Sequence, residues 1–150
     1  MIALDTNILV YAEGVNGIER RTAALALLAQ LPEAGVFLPV QALGELFNVL
    51  VRKDRRSGSN ARSAILAWRD VYPLIPTSPT TMIAALDLAV DHNFSIWDAA
   101  VLAAAADAGC RLLLSEDMHD GFIWRGVTIT NPFREDRAPL LVGRLRPRSG

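Results

Sequence analysis

The chain has 150 residues, 51% hydrophobic and 21% charged, with a formal net charge of −1. Such a composition excludes intrinsic disorder, which needs few apolar residues and high net charge, and its one cysteine, Cys110, excludes a disulfide scaffold. The longest apolar run, Ala99 to Ala106, is eight residues, where a membrane-spanning helix needs about 20.

The length suits one domain built on one core. The opening Met1-Ile2-Ala3-Leu4-Asp5 carries no basic leader pattern, so the expected compartment is the reducing cytoplasm. Residues 2–5 form an apolar run ending in Asp, a candidate buried strand, and Asp5-Thr6-Asn7 offers capping side chains to a helical stretch from Ile8 to Ala12. Gly14 to Gly17 is a turn. A helix from Ile18 to Leu31 carries an apolar stripe of Ala24, Leu25, Leu27, Leu28 and Leu31. Val36-Phe37-Leu38 reads as a second strand. Pro39 suits the first turn of a helix that runs through Leu43, Leu46, Phe47, Val49 and Leu50 to Arg52. Asn60 is placed to cap a helix from Ala61 to Tyr72. Two prolines limit Leu74 to Thr77 to a short or edge strand. Thr80 to Val90 is helical by pattern, and Ser95 opens an alanine-rich helix from Ile96 to Ala108 that Gly109 stops. Arg111 to Leu114 and Val127 to Thr130 are the last strands. Strands alternating with helices predict an α/β domain over residues 1–133, a mostly parallel sheet of four to five strands flanked by helices. An arginine-rich tail, 134–150, follows it.

The near-zero net charge hides a segregation. Arg52, Lys53, Arg55, Arg56 and Arg62 stand against Asp54 alone, and Arg134, Arg137, Arg144, Arg146 and Arg148 against Glu135 and Asp136. A basic patch for phosphates beside an acidic pocket for cations fits that distribution; so does plain solvated surface.

Four acids occupy unusual places. In open α/β sheets ligands bind outside the carboxyl ends of the strands. Asp5 stands at such an end, and Asp117 lies just beyond another, after Ser115 and Glu116. Glu45 interrupts an otherwise apolar helix, and Asp98 lies in the first turn of the alanine-rich one. Each has an ordinary reading. Asp5 and Asp98 suit helix caps, Glu45 can snorkel towards Arg52, and Asp117 and Asp120 suit turns. Converging carboxylates repel one another unless protonated or neutralised by a cation. Hard oxygen ligands suit Mg²⁺ or Mn²⁺, and the sequence has no Cys/His cluster for zinc. Carboxylate-held divalent ions are a common apparatus for phosphodiester hydrolysis.

In this order and context the acids resemble those of the PIN-domain nucleases, and more closely the VapC-type ribonuclease toxins of toxin–antitoxin pairs. Ile2-Ala3-Leu4-Asp5-Thr6-Asn7-Ile8 resembles the first motif of that family, Glu45 in Gln41-Ala42-Leu43-Gly44-Glu45-Leu46 the second acid, Asp98 in Ser95-Ile96-Trp97-Asp98 the third, and Leu114-Ser115-Glu116-Asp117 the fourth. The strand Val127 to Thr130 with Asn131-Pro132-Phe133 is similar to the family's ending. The resemblance implies a Rossmann-like three-layer fold and a Mg²⁺- or Mn²⁺-dependent endoribonuclease acting on RNA. It implies that Asp5, Glu45, Asp98 and Asp117 hold the metal and that Thr6, Asn7 and Ser115 support them. It further implies a homodimer held inactive by a cognate antitoxin over the active-site groove. The tail beyond Phe133 departs from the family pattern, and Glu116 and Asp120 compete with Asp117 for the metal-binding role.

Other residues have two readings. Arg52, Lys53, Arg55 and Arg56 suit RNA phosphates or a protein contact. Trp97 offers a stacking surface for a base, but the area a tryptophan buries assigns it to the core, with Trp68 and Trp124. His119 is placed as a loop residue. Two alternatives stand beside the nuclease: a catalytically silent RNA- or protein-binding module on the same fold, and an aspartyl-phosphate phosphatase with Asp5 as nucleophile. The phosphatase wants an acid where Asn7 stands and a suitably placed lysine, and Lys53 is the only lysine.

Overall fold

The structure, a computed structural model, describes residues 1–134. The arginine-rich tail expected over 134–150 therefore lies, Arg134 apart, outside the described residues. Among the described residues six strands form one sheet: β1 (Ile2–Leu4), β2 (Val36–Pro39), β3 (Leu74–Ile75), β4 (Leu112–Leu114), β5 (Ile123–Trp124) and β6 (Val127–Thr130), in the order β3-β2-β1-β4-β6-β5. All neighbours are parallel except β5 and β6. Six helices connect them: α1 (Thr6–Ala12), α2 (Ile18–Gln30), α3 (Val40–Arg52), α4 (Gly58–Val71), α5 (Pro79–His92) and α6 (Ile96–Asp107).

The strands are too short to hold together alone and are buried on both faces, as parallel sheets are. Their period of two divides the core. Ile2, Leu4, Val36, Leu38, Leu112 and Leu114 pack towards α1, α2, α3 and α4. Ala3, Leu113, Val127 and Ile129 pack towards α5 and α6. A helix–sheet–helix sandwich results, the three-layer arrangement expected from the alternating pattern. On the second face α6 is alanine from Ala103 to Ala105, all buried. Small side chains there let the helix run close to Ala3 and Leu113.

Three local readings are corrected. The sheet has six strands rather than four or five, because β5 pairs with β6 through a tight hairpin. Arg125 and Gly126 take φ of 46° and 84° there, the left-handed pair that suits a two-residue hairpin turn. Pro39 ends β2 and stands at the N-cap of α3 instead of in its first turn. Ser57, not Asn60, caps α4: its Oγ accepts from the Asn60 N–H at 3.1 Å, so the helix starts at Gly58.

The link from α3 to α4 is tied to the end of α1. Arg56 donates through Nη1 to Glu13 Oε2 at 3.1 Å and through Nη2 to the Glu13 carbonyl at 3.0 Å, and Trp68 Nε1 donates to Glu13 Oε1 at 3.0 Å. Trp68 also stacks on Tyr72. Truncating Glu13 to Ala strands two donors at once. Loss of one partner from a part-buried hydrogen bond costs about 1–3 kcal/mol, so Glu13→Ala is expected to lower the unfolding free energy by about that much, read in urea titration as a lower midpoint at unchanged slope.

Candidate metal-binding active site

The strand order reverses between β1 and β4, and the crevice beyond their carboxyl ends is the place where open α/β sheets hold ligands. Asp5 follows β1 directly and is 3% exposed. Its backbone N–H donates to the Leu114 carbonyl at 3.0 Å, fixing it beside the end of β4. As N-cap of α1, its Oδ1 accepts from Thr6 N–H at 2.7 Å, while Oδ2 accepts from Ser115 Oγ at 2.7 Å. The capping reading and the site reading of Asp5 thus both hold, one for each oxygen.

Ser115 lies between two carboxylates. Its Oγ is 2.7 Å from Asp5 and 3.1 Å from Asp117 Oδ1, and one hydroxyl hydrogen cannot serve both at once. Asn7 Nδ2 donates to Asp117 Oδ1 at 2.8 Å. Thr6 Oγ1 donates to Glu45 Oε2 at 2.9 Å, bringing α3 to the site. The other oxygen, Glu45 Oε1, is buried with no hydrogen-bond partner. The snorkelling of Glu45 towards Arg52 does not occur. Asp98 enters from the first turn of α6, where Ser95 Oγ caps the helix by accepting from the Asp98 N–H at 3.1 Å. The Asp98 carboxylate keeps a hydrogen bond with Ser95, in line with the capping reading, and also feels the charges of Asp117 and Glu45 in the crevice.

The electrostatics record this crowding. Burial, followed by the charges of Asp117 and Asp98, raises the Asp5 carboxyl from the usual 3.8 to about 7, against the lowering effect of the Ser115 and Thr6 hydrogen bonds. Burial, then Asp117 and Glu45, also raises Asp98. Among the described residues none of Asp5, Glu45, Asp98 and Asp117 is paired with Lys or Arg. The two competing acids are: Glu116 is bound by Arg20 at 2.7 Å and by the Tyr11 hydroxyl at 3.2 Å, and Asp120 by Arg134 at 2.8 Å. That difference separates Asp117 from its neighbours, and sequence spacing carried no sign of it.

Mutual repulsion, an orphaned buried oxygen and an all-oxygen donor set fit a hard divalent cation. Among the described residues no three His, Cys, Asp or Glu side chains form a ready-made metal-binding group, so an ion shared by these acids would need water among its ligands, as Mg²⁺ held by one or two carboxylates has.

The remaining residues are placed as follows. Arg52, Lys53 and Arg55 are exposed, whereas Arg56 is engaged with Glu13 and Asp54. Trp97 is not a core residue: it is 55% exposed, beside Asp98. The core assignment failed there because burial needs a facing element, and across from Trp97 the residues of α3 leave an open cleft. His119 packs on Phe94 and Phe122. Asn7, where the phosphatase reading wanted an acid, donates to Asp117.

A sequence model of the PIN domain matches residues 2–119. The chain belongs to the PIN-domain family. Solved structures share the fold. VapC20 of Mycobacterium tuberculosis, a sarcin–ricin loop cleaving toxin, is 25% identical with a TM-score of 0.65 over 78% of this chain and 92% of that one. A toxin–antitoxin complex from Klebsiella pneumoniae is 23% identical, TM-score 0.61, over 85% and 96%. VapBC2 of Rickettsia felis, bound to a DNA fragment from its promoter, is 17% identical, TM-score 0.62, over 86% and 97%. Among curated proteins none matches the chain. No helix of the described residues is long and apolar enough to cross a membrane.

A pH dependence follows from Asp5. Folded Asp5 keeps its proton to about pH 7 and an unfolded one loses it near 3.8, so between these values the folded state binds the extra proton. Its contribution to stability is complete below pH ~4, falls as pH rises towards 7 and is flat above, on the order of 4 kcal/mol over the full interval. Urea unfolding in EDTA is expected to show a lower midpoint at pH 8 than at pH 5.5, and Asp5→Asn to remove most of that difference.

Proposed function

We propose that this PIN-domain protein is a metal-dependent endoribonuclease, the toxin of a toxin–antitoxin pair acting in the cytoplasm. The observation that carries the reading is the set of four unpaired acids at the β1/β4 crevice, beside two acids that are paired. Asp5, Glu45, Asp98 and Asp117 would hold Mg²⁺ or Mn²⁺. When bound, such an ion supplies positive charge at a phosphoryl group and acidifies water. The chain's own residues set that arrangement up. Thr6 turns Glu45 into the crevice, Asn7 holds Asp117, and Ser115 keeps Asp5 and Asp117 from collapsing or separating. The exposed Arg52, Lys53 and Arg55 supply positive charge for RNA phosphates.

An antitoxin partner is supported by the complexes among the structural neighbours. We assign it to the apolar groove of about 630 Å³ between α3 and α4, lined by Val40, Leu43, Phe47, Ile65 and Leu66. That groove reaches Gly44, next to Glu45, so its occupant would end at the site. A homodimer is supported by α5, which leaves Ile83, Leu86 and Val90 exposed at 61%, 47% and 83%. Their spacing forms one apolar stripe. Val90→Glu is expected to convert the protein from dimer to monomer in light scattering after size exclusion; an unchanged mass would contradict this assignment.

The nuclease itself is tested on total RNA and on an isolated ribosomal stem-loop, the latter chosen because of VapC20. Cleavage into discrete fragments is expected with Mg²⁺ or Mn²⁺ and not with EDTA. Asp5→Asn and Asp98→Asn are each expected to lower the rate at least a hundredfold while keeping the native circular dichroism spectrum. Undiminished cleavage by both variants would refute the assignment, and a folded wild type that binds RNA without cutting it would favour the silent module.

A further inference from the structure

Beside the acids lies a second cleft that shares only Glu45 with the four-carboxylate site. It measures about 570 Å³ and is lined by Gln41, Gly44, Glu45, Asn48, Val49 and Trp97, a size within the range of small-ligand pockets. Gln41, Glu45, Asn48 and Arg52 fall at i, i+4, i+7 and i+11 of α3, so they lie along one face of the helix. Trp97 closes the opposite wall from the first turn of α6, with more than half of its surface in solvent. An exposed tryptophan beside a catalytic-type acid is costly to leave in water, and nothing on this chain covers it among the described residues.

Two further features point to an occupant. The side-chain amides of Gln41, half-buried, and Asn48, exposed, make no hydrogen bond to the described residues and are free to reach a molecule in the cleft. Gly44 stands in the interior of α3, where Gly is the least favourable residue after Pro. A Cβ built there would meet nothing within 4 Å. Packing within the chain therefore gives no reason for glycine at 44; close approach of something else to the helix backbone does.

Resting on the nuclease reading above, we propose that this cleft is a nucleotide subsite: one unpaired base adjoining the cleaved phosphate stacks on Trp97, over Gly44, and its edge is read by the amides of Gln41 and Asn48. The chemistry matches the occupant. An indole face accepts any base by stacking, paired amide groups supply the donors and acceptors that distinguish base edges, and Arg52, one turn beyond Asn48, meets the next phosphate. A base within a duplex is already stacked and cannot enter, so the subsite selects single-stranded or looped RNA. The shared wall at Glu45 places the base beside the acids.

The test is binding of a fluorescently labelled, unstructured RNA by anisotropy at low salt in EDTA, where no cleavage intervenes. Trp97→Ala is expected to weaken binding roughly ten- to a hundredfold, the range found for loss of one stacked base. Trp97→Phe should recover most of the loss, and the duplex of the same sequence should bind no better to wild type than to Trp97→Ala. Gly44→Ala should raise the melting temperature while weakening RNA binding, opposite signs that a purely structural role would not produce. In cleavage assays Trp97→Ala should raise KM more than it lowers kcat. Equal RNA affinity of wild type, Trp97→Ala and Gly44→Ala would overturn the proposal, and loss of antitoxin binding alone in these variants would overturn it in favour of a protein contact. Because anisotropy needs no metal, the two readings fail separately: Trp97-dependent binding without cleavage by any metal contradicts the nuclease alone, and cleavage indifferent to Trp97 contradicts the subsite alone.

Discussion

The repulsion among four carboxylates at the end of a parallel sheet is the constraint around which the rest of the molecule is arranged. Ser115 is its pivot. Its single hydroxyl hydrogen is contested by Asp5 and Asp117 at 2.7 and 3.1 Å, and its backbone N–H is held by the Thr130 carbonyl at 3.0 Å. β6 therefore fixes β4, and β4 fixes the distance between two acids that would otherwise move apart. The buried Asp5 could relieve the strain by keeping a proton to about pH 7. A protonated carboxyl is a poor ligand, so a metal ion bound there would have to displace that proton.

The fold makes such a site affordable because its core is elsewhere. Ile2 and Leu4 are buried on one face and Ala3 on the other, so β1 is anchored on both sides before it reaches Asp5. Burying each large side chain of this strand, Ile2 and Leu4, contributes about 1.5–3 kcal/mol. The sheet end can then carry unfavourable charge without unfolding. Glu116 and Asp120, next to the crevice, are each neutralised by an arginine, whereas Asp5, Glu45, Asp98 and Asp117 are not.

Much of this was legible in the sequence, for physical reasons that differ by element. The apolar runs Ile2–Leu4, Val36–Leu38 and Arg111–Leu114 marked buried strands because a parallel sheet covered on both faces demands continuous hydrophobicity. Asp5 was visible as an acid because it ends such a run, and Asp98 because it stands in the first turn of an alanine-rich helix. β5 was not legible, since Ile123-Trp124 is only two residues and depends on the left-handed Arg125-Gly126 turn. The partners of the acids were not legible either. Nothing in the spacing tells that Arg20 reaches Glu116 across 96 residues, or that Arg56 is committed to Glu13 across 43. Trp97 was misplaced for a related reason: side-chain area indicates what a residue gains by burial, not whether an element is present to bury it.

The central claim is that the crowded acids await a divalent cation and that Asp5 must give up a proton to receive it. Titration calorimetry with Mn²⁺, repeated in buffers of different ionisation enthalpy at pH 6 and pH 8.5, measures that proton directly. The account predicts release of close to one proton per ion at pH 6, little at pH 8.5, and no such difference in Asp5→Asn. Absence of Mn²⁺ binding, or binding without proton release at either pH, would contradict it.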